Sequence, residues 1–195
     1  MNYVLMDTKR FPDKDAVKDQ RDDLTHADLS FMDLSGIELR DANLSFADLT
    51  HADLSYAKLD GAIVPDANLR YAKLSYGNFS GANLSRSRLG YADLSYAKLD
   101  GAIVPDAGLS DAKLNDGNFS GADLSRSDFT RSNLNRANFT NASLTRADFD
   151  GAYMSDVMLH GASYGATDFS RTNHFNNICK DYCSKCETVL NLFRH

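Results

Sequence analysis

The sequence predicts an all-β fold, a right-handed, four-sided parallel β-solenoid. Three observations predict it: an apolar residue at every fifth position, a second period of twenty residues, and an internal duplication of forty. At 195 residues the chain suffices for one domain with a substantial core, and its composition points to neither disorder nor a membrane span.

The chain divides into an N-terminal cap segment over 1–21, a repeat region over 22–173 and a C-terminal segment over 174–195. Residues 1–21 have no continuous apolar stretch and no small-residue cleavage site, so they do not read as a signal peptide, and a cytoplasmic location is the expectation. They are available to cover one end of the solenoid.

From Leu24 to Phe169 an apolar residue falls at every fifth position, which makes thirty consecutive repeats. The central residue is mostly Leu or Phe, the residue two before it is usually Ala, and the consensus is A(D/N)LSX. A five-residue step turns an α-helix by about 140°, so no helical face stays apolar. In extended conformation Ala and Leu, two apart, point the same way, while the next Ala lies three residues on and reverses the facing. A corner must therefore intervene in every repeat.

Gly61, Gly81, Gly101, Gly121 and Gly161 recur every twenty residues, with Asp41 and Asn141 filling the series. These residue types tolerate positive φ and mark one corner. Residues 52–91 and 92–131 match at thirty of forty positions. Forty is two coils of twenty and not a whole number of coils of fifteen, so four repeats make one coil. Stacked Leu and Phe ladders fill the inside, and parallel pairing joins the coils with the usual right-handed crossover.

Tandem A(D/N)LXX resembles the pentapeptide-repeat family, and the likeness covers about three-quarters of the chain. It implies a right-handed quadrilateral β-helix. Because the repeated residues are the inward ones, it implies a fold and leaves function to the outer surface.

In the C-terminal segment Cys179, Tyr182, Cys183, Cys186, Val189, Leu190 and Phe193 fall within a stripe of about 120° on a helix, so 177–195 is expected to form an amphipathic cap. Cys179, Cys183 and Cys186 are too few and too close together for a disulfide framework. Their spacing resembles an iron–sulfur or zinc motif, with His174 as a fourth ligand. Thiols at i, i+4 and i+7 form a line along one helix, however, and cannot by themselves surround a tetrahedral ion. Core packing is the expectation, with no metal and no cofactor.

The many carboxylates, serines and histidines arise from the repeat and point outward from a convex rod, so no catalytic grouping converges and no enzyme is expected. A formal charge of -6 disfavours direct binding to nucleic acid and suits a basic protein partner. Three outward columns stand out. Asp28, Asp48, Asn68, Arg88, Gly108, Asp128, Asp148 and Asp168 form an acidic column whose like charges repel in register. Asp66, Arg86, Asp106 and Arg126, with Arg146 beyond, alternate in sign and should form ion-pair ladders. Tyr56, Tyr76 and Tyr96 share one column and Tyr71 and Tyr91 the neighbouring one, which together are expected to make a contiguous tyrosine patch.

The expected function is a non-enzymatic protein-binding or scaffold module that presents a rigid surface to a protein partner. The family resemblance implies a second reading, since some members mimic DNA and bind type II topoisomerases, conferring resistance to gyrase-targeting agents. Those members commonly dimerise through a C-terminal helix, a place that 177–195 would take. Against that reading, the acidity is uneven. Residues 22–66 carry ten Asp and Glu against two Lys and Arg, whereas 67–147 carry seven against ten.

Overall fold

Every repeat uses its five residues in the same way. The structure, a computed structural model, describes residues 10–173. The residue before each central Leu or Phe is extended and forms one parallel bridge to the residue twenty positions on: Asp28 to Asp48, Asp33 to Asp53, Glu38 to Lys58, Asn43 to Ile63. Four successive repeats all pair at this interval, so four repeats make one coil, as the twenty-residue period predicts. The rungs are backbone hydrogen bonds. Leu29 N–H donates to the Asp48 carbonyl at 2.8 Å, Asp48 N–H to the Ala27 carbonyl at 2.9 Å, and Phe31 N–H to the Thr50 carbonyl at 2.9 Å.

A turn follows each bridge, closed by bonds such as Ala47 N–H to the Leu44 carbonyl at 3.1 Å. The second turn residue has positive φ in every repeat from His26 to Ala166, between 55° and 72°. That is the demand a type II turn makes. The glycine series behaves as predicted, together with Asp41 and Asn141. The other three corners hold Tyr, His, Phe, Arg and Asp in the same left-handed conformation, which the glycine pattern did not indicate. Left-handed backbone costs an L-residue roughly 1–2 kcal/mol. Ladder bonds such as Tyr56 N–H to the Ser75 carbonyl at 3.0 Å offset the cost.

The inward residues are buried as expected. Leu54, Leu74, Leu94 and Leu114 form one ladder and Ala52, Ala72, Ala92 and Ala112 another, all nearly inaccessible. Toward the C-terminal coils the core turns aromatic, with Phe129 stacked on Phe149 at 4.9 Å and Phe149 on Phe169 at 5.1 Å. Where serine replaces the inward alanine its hydroxyl is satisfied: Ser87 Oγ donates to the Leu84 carbonyl at 2.7 Å and Ser127 Oγ to the Val104 carbonyl at 2.6 Å. At the first coil, helix α1 (Lys14–Asp19) is capped by Asp13, whose side chain accepts from Ala16 N–H at 2.9 Å. Phe11 and Val17 join the same buried core. The expected helix at 177–195, with Cys179, Cys183 and Cys186, lies outside the described residues.

Two repeats show why the inward position before the centre must be small. A Cβ at Gly77 would lie 2.7 Å from Phe79 Cε2 and 2.9 Å from the Leu74 carbonyl oxygen, and Gly117 stands in the same relation to Phe119 and Leu114. Gly77→Ala is expected to cost about 1–3 kcal/mol, and Phe79→Leu in the same chain to recover part of it by withdrawing the ring. Ala92→Phe should be at least as harmful. Thermal and denaturant midpoints check all three; an unchanged midpoint for Ala92→Phe would mean that the alanine column is not tightly packed.

Candidate interaction surface

The twenty-residue register converts each outward residue into a member of a column, and the corners carry the largest exposed side chains. On one corner Phe31 stacks on His51 at 4.8 Å, His51 on Tyr71 at 4.9 Å and Tyr71 on Tyr91 at 5.0 Å. On the next, Tyr56 stacks on Tyr76 at 5.0 Å and Tyr76 on Tyr96 at 4.8 Å, with rings within 5° of parallel. A third corner begins with His26 on Phe46 at 4.9 Å. The five tyrosines therefore occupy the two columns that the sequence indicates. Phe31 and His51 extend one tyrosine column toward the N-terminus, and His26 and Phe46 begin the column of Asp66 and Arg86; reading both columns toward the N-terminus would have found them.

The two tyrosine columns are not one contiguous sheet of rings. The side between them carries Asp53, Lys73, Asp93 and Lys113, in which Lys73 Nζ lies 3.1 Å from Asp53 and Lys113 Nζ 3.5 Å from Asp93. The surface is thus two aromatic ridges flanking a row of alternating charge. All five tyrosines are exposed, Tyr56 most of all at 62%. Packing between Tyr56 and Tyr96 removes water from Tyr76 and raises its hydroxyl pKa, and its tyrosine neighbours add to this.

Both ridges end in ion pairs. Above Tyr91 comes Asp111, which Arg131 grips with bonds of 2.9 and 2.7 Å; above Tyr96 comes Asp116, which Arg136 grips with two bonds of 2.6 Å. The third corner continues as the expected ladder, Arg86 on Asp66 at 2.9 and 2.6 Å and Arg126 on Asp106 at 2.7 Å twice. Such exposed pairs stabilise weakly, yet each places opposite charges where like charges would repel.

The acidic column is partly committed to the fold. Asp28 Oδ1 accepts from Ser30 N–H at 3.1 Å and its hydroxyl at 2.7 Å. Asp48 takes Thr50, Asp128 takes Thr130, Asp148 takes Asp150 and Asp168 takes Ser170 in the same way through the backbone N–H. These bonds end in the turn that follows each bridge, so Asp or Asn serves the corner first. The backbone N–H and side chain of Ser170 hold the Asp168 carboxyl below its usual range. In the middle of the column Arg88 and Gly108 interrupt the acids.

The description "Pentapeptide repeats" matches in 8 copies, over residues 23–61, 66–101, 92–131 and 132–173. The chain belongs to the pentapeptide-repeat family. The fold is accordingly the family's right-handed β-helix. Among solved structures, HetL, a pentapeptide repeat protein involved in heterocyst differentiation regulation from the cyanobacterium Nostoc, is 29% identical, with 78% of this chain and 76% of that one covered and a TM-score of 0.45. Rfr23, a pentapeptide repeat protein from the cyanobacterium Cyanothece, is 26% identical over 51% of this chain and 64% of its own, with a TM-score of 0.44. QnrB1, a plasmid-mediated fluoroquinolone resistance protein, is 16% identical over 80% of this chain and 93% of its own, with a TM-score of 0.45. No curated protein matches. Among the described residues no helix is long and apolar enough to cross a membrane.

The ion pairs at the ends of the tyrosine ridges give a pH dependence with a definite sign. Donation from Arg136 above all, helped by Asn115 and Tyr96, lowers the Asp116 carboxyl from 3.8 to about 2 against a smaller opposing effect of burial. Because the folded pKa is depressed, its stabilisation is fully present above about pH 4 and is lost as pH falls through about 2. Carboxyl titration by NMR should find that midpoint near 2, and Arg136→Gln should move it toward 3.8.

Proposed function

We propose that the chain is a non-enzymatic protein-binding module whose contact surface is the pair of tyrosine ridges, Tyr71 and Tyr91 on one side and Tyr56, Tyr76 and Tyr96 on the other. The observation that carries this reading is the ring stacking at 4.8–5.0 Å in columns that remain exposed. Ladder-held tyrosines have already lost their rotamer freedom, so a partner recovers more of the contact energy. Tyr is also the residue type favoured at the centres of interfaces. The ion-paired row between the ridges supplies polar contacts and register. The partner is a protein, and a cytoplasmic location is part of this proposal.

The DNA-mimic reading would instead use Asp28, Asp48, Asp128, Asp148 and Asp168. It draws support from the second oxygen of each carboxylate, on which the described residues place no hydrogen bond. Its weakness is the break at Asn68, Arg88 and Gly108 in the middle of the rod.

The two readings separate by experiment. The full chain, cross-linked in an extract of its host, should capture a defined partner. The triple change Tyr56→Ser, Tyr76→Ser, Tyr96→Ser should reduce that capture by roughly tenfold, in line with the loss of interface hot spots. Circular dichroism must show the β-helix intact. If capture survives unchanged, the ridges are not the contact surface. If Asp128→Asn with Asp148→Asn abolishes it instead, and the native chain inhibits gyrase supercoiling, the DNA-mimic reading replaces this one.

A further inference from the structure

Of the ten Lys and Arg between residues 67 and 147, six are held by the carboxylate twenty residues before them: Lys73, Arg86, Lys113, Arg126, Arg131 and Arg136. The other four are Arg70, Arg88, Lys98 and Arg146, and of these Arg70 and Arg88 are neighbours. Asn68 bridges to Arg88, so Arg88 lies one coil above Asn68, and Arg70 lies two residues along from Asn68, beneath Gly90. Both arginines are exposed. The Arg70 guanidinium lies 5.6 Å from the Tyr71 ring centroid and 5.8 Å from that of Tyr91, which orients it against the ridge.

Two glycines keep this place open. A Cβ at Gly90 would already touch Arg70 Nη1 at 3.6 Å, so a larger side chain would compete with the guanidinium for its position. A Cβ at Gly108, directly above Arg88, would meet nothing within 4 Å. On this face Asp28, Asp48, Asn68, Asp128, Asp148 and Asp168 each accept from a backbone N–H two residues on. Arg88 and Gly108 cannot, so two consecutive coils forgo a hydrogen bond that the rest of the face makes. Local rules of a fold are commonly broken at places that serve another purpose.

The duplication points to the same place. Copies 52–91 and 92–131 differ at ten positions, and seven of these are 68, 70, 71, 88, 89, 90 and 91 with their counterparts forty residues on. The second copy replaces Arg70, Tyr71 and Arg88 with Ser110, Asp111 and Asp128, and pairs its Asp111 with Arg131. One copy is therefore a cationic and aromatic patch where the other is acidic and ion-paired.

We infer that Arg70, set against Tyr71 and Tyr91, and its neighbour Arg88 form a carboxylate-recognition site that docks an acidic segment of the protein partner. This rests on the protein-binding reading and names the chemistry of what binds. Two guanidinium forks without acid partners match planar carboxylates, and Arg70, held beside the Tyr71 and Tyr91 rings, is already oriented for them. Single-stranded nucleic acid fits less well, because one face of the Tyr71 ring is covered by His51 and the other by Tyr91, leaving no face for a base.

The test uses the full chain and a fluorescein-labelled octaglutamate peptide, read by anisotropy at low salt. The native protein should bind it, and Arg70→Gln with Arg88→Gln should weaken binding by roughly tenfold, whereas Arg86→Gln, a cation already paired with Asp66, should leave it within about twofold. Absence of octaglutamate binding, or equal loss with Arg86→Gln, would overturn the inference, as would tighter binding of an octameric oligothymidylate. The protein-binding reading is judged separately by the tyrosine variants, so it can stand while this site falls.

Discussion

Everything in this molecule depends on the pairing of each residue with the one twenty positions on. A single parallel bridge per repeat is a minimal strand, too short to persist alone. Stacked coils make it stable because the same bonds recur above and below, as between Asp28, Asp48 and Asn68. The register also fixes which side chains meet. Inside, Leu54 shares a ladder with Leu74 and Phe129 stacks on Phe149, while outside Tyr56 meets Tyr76 and Arg86 meets Asp66.

The left-handed corner is the second half of that constraint. A coil that turns four times in twenty residues needs a sharp bend every fifth residue, and glycine fills only one corner column consistently. Elsewhere the strain is carried by residues with large side chains, whose N–H groups bond to the coil above and whose rings or charges stack on the next corner. Structural need and surface chemistry thus fall on the same residues. Tyr71, Tyr76, Tyr91 and Tyr96 hold corners together and are also exposed. Asp28 and Asp48 likewise bond within their own turns while contributing negative charge to a face.

Membership in the pentapeptide-repeat family explains the core and leaves the exterior open, because the family pattern is written in the inward positions. What distinguishes this chain is the sequence of changes along each column. One corner runs from Phe31 through His51 and two tyrosines to an Asp–Arg pair, and the next runs from Gly36 through three tyrosines to another such pair. The aromatic character lies in the N-terminal coils and the paired charge beyond them.

The sequence by itself determined the architecture. A five-residue spacing excludes a helix, the twenty-residue period sets four sides, and the duplicated forty residues exclude coils of fifteen, so the buried ladders and the membership of each outward column follow from counting. Tertiary structure decided what the columns do. Counting cannot show that Tyr, His and Arg adopt positive φ, because that depends on bonds from the coil above. Nor can it show that Lys73 and Lys113 reach Asp53 and Asp93 on the side between the tyrosine columns, or that the aspartates of the acidic face bond into their own turns. That Arg70 lies against Tyr71 and Tyr91 while nearby Lys73 and Arg86 are claimed by carboxylates one coil below likewise appears only in three dimensions. Periodicity fixes which residues share a column; distances between side chains fix which of them remain free to meet a partner.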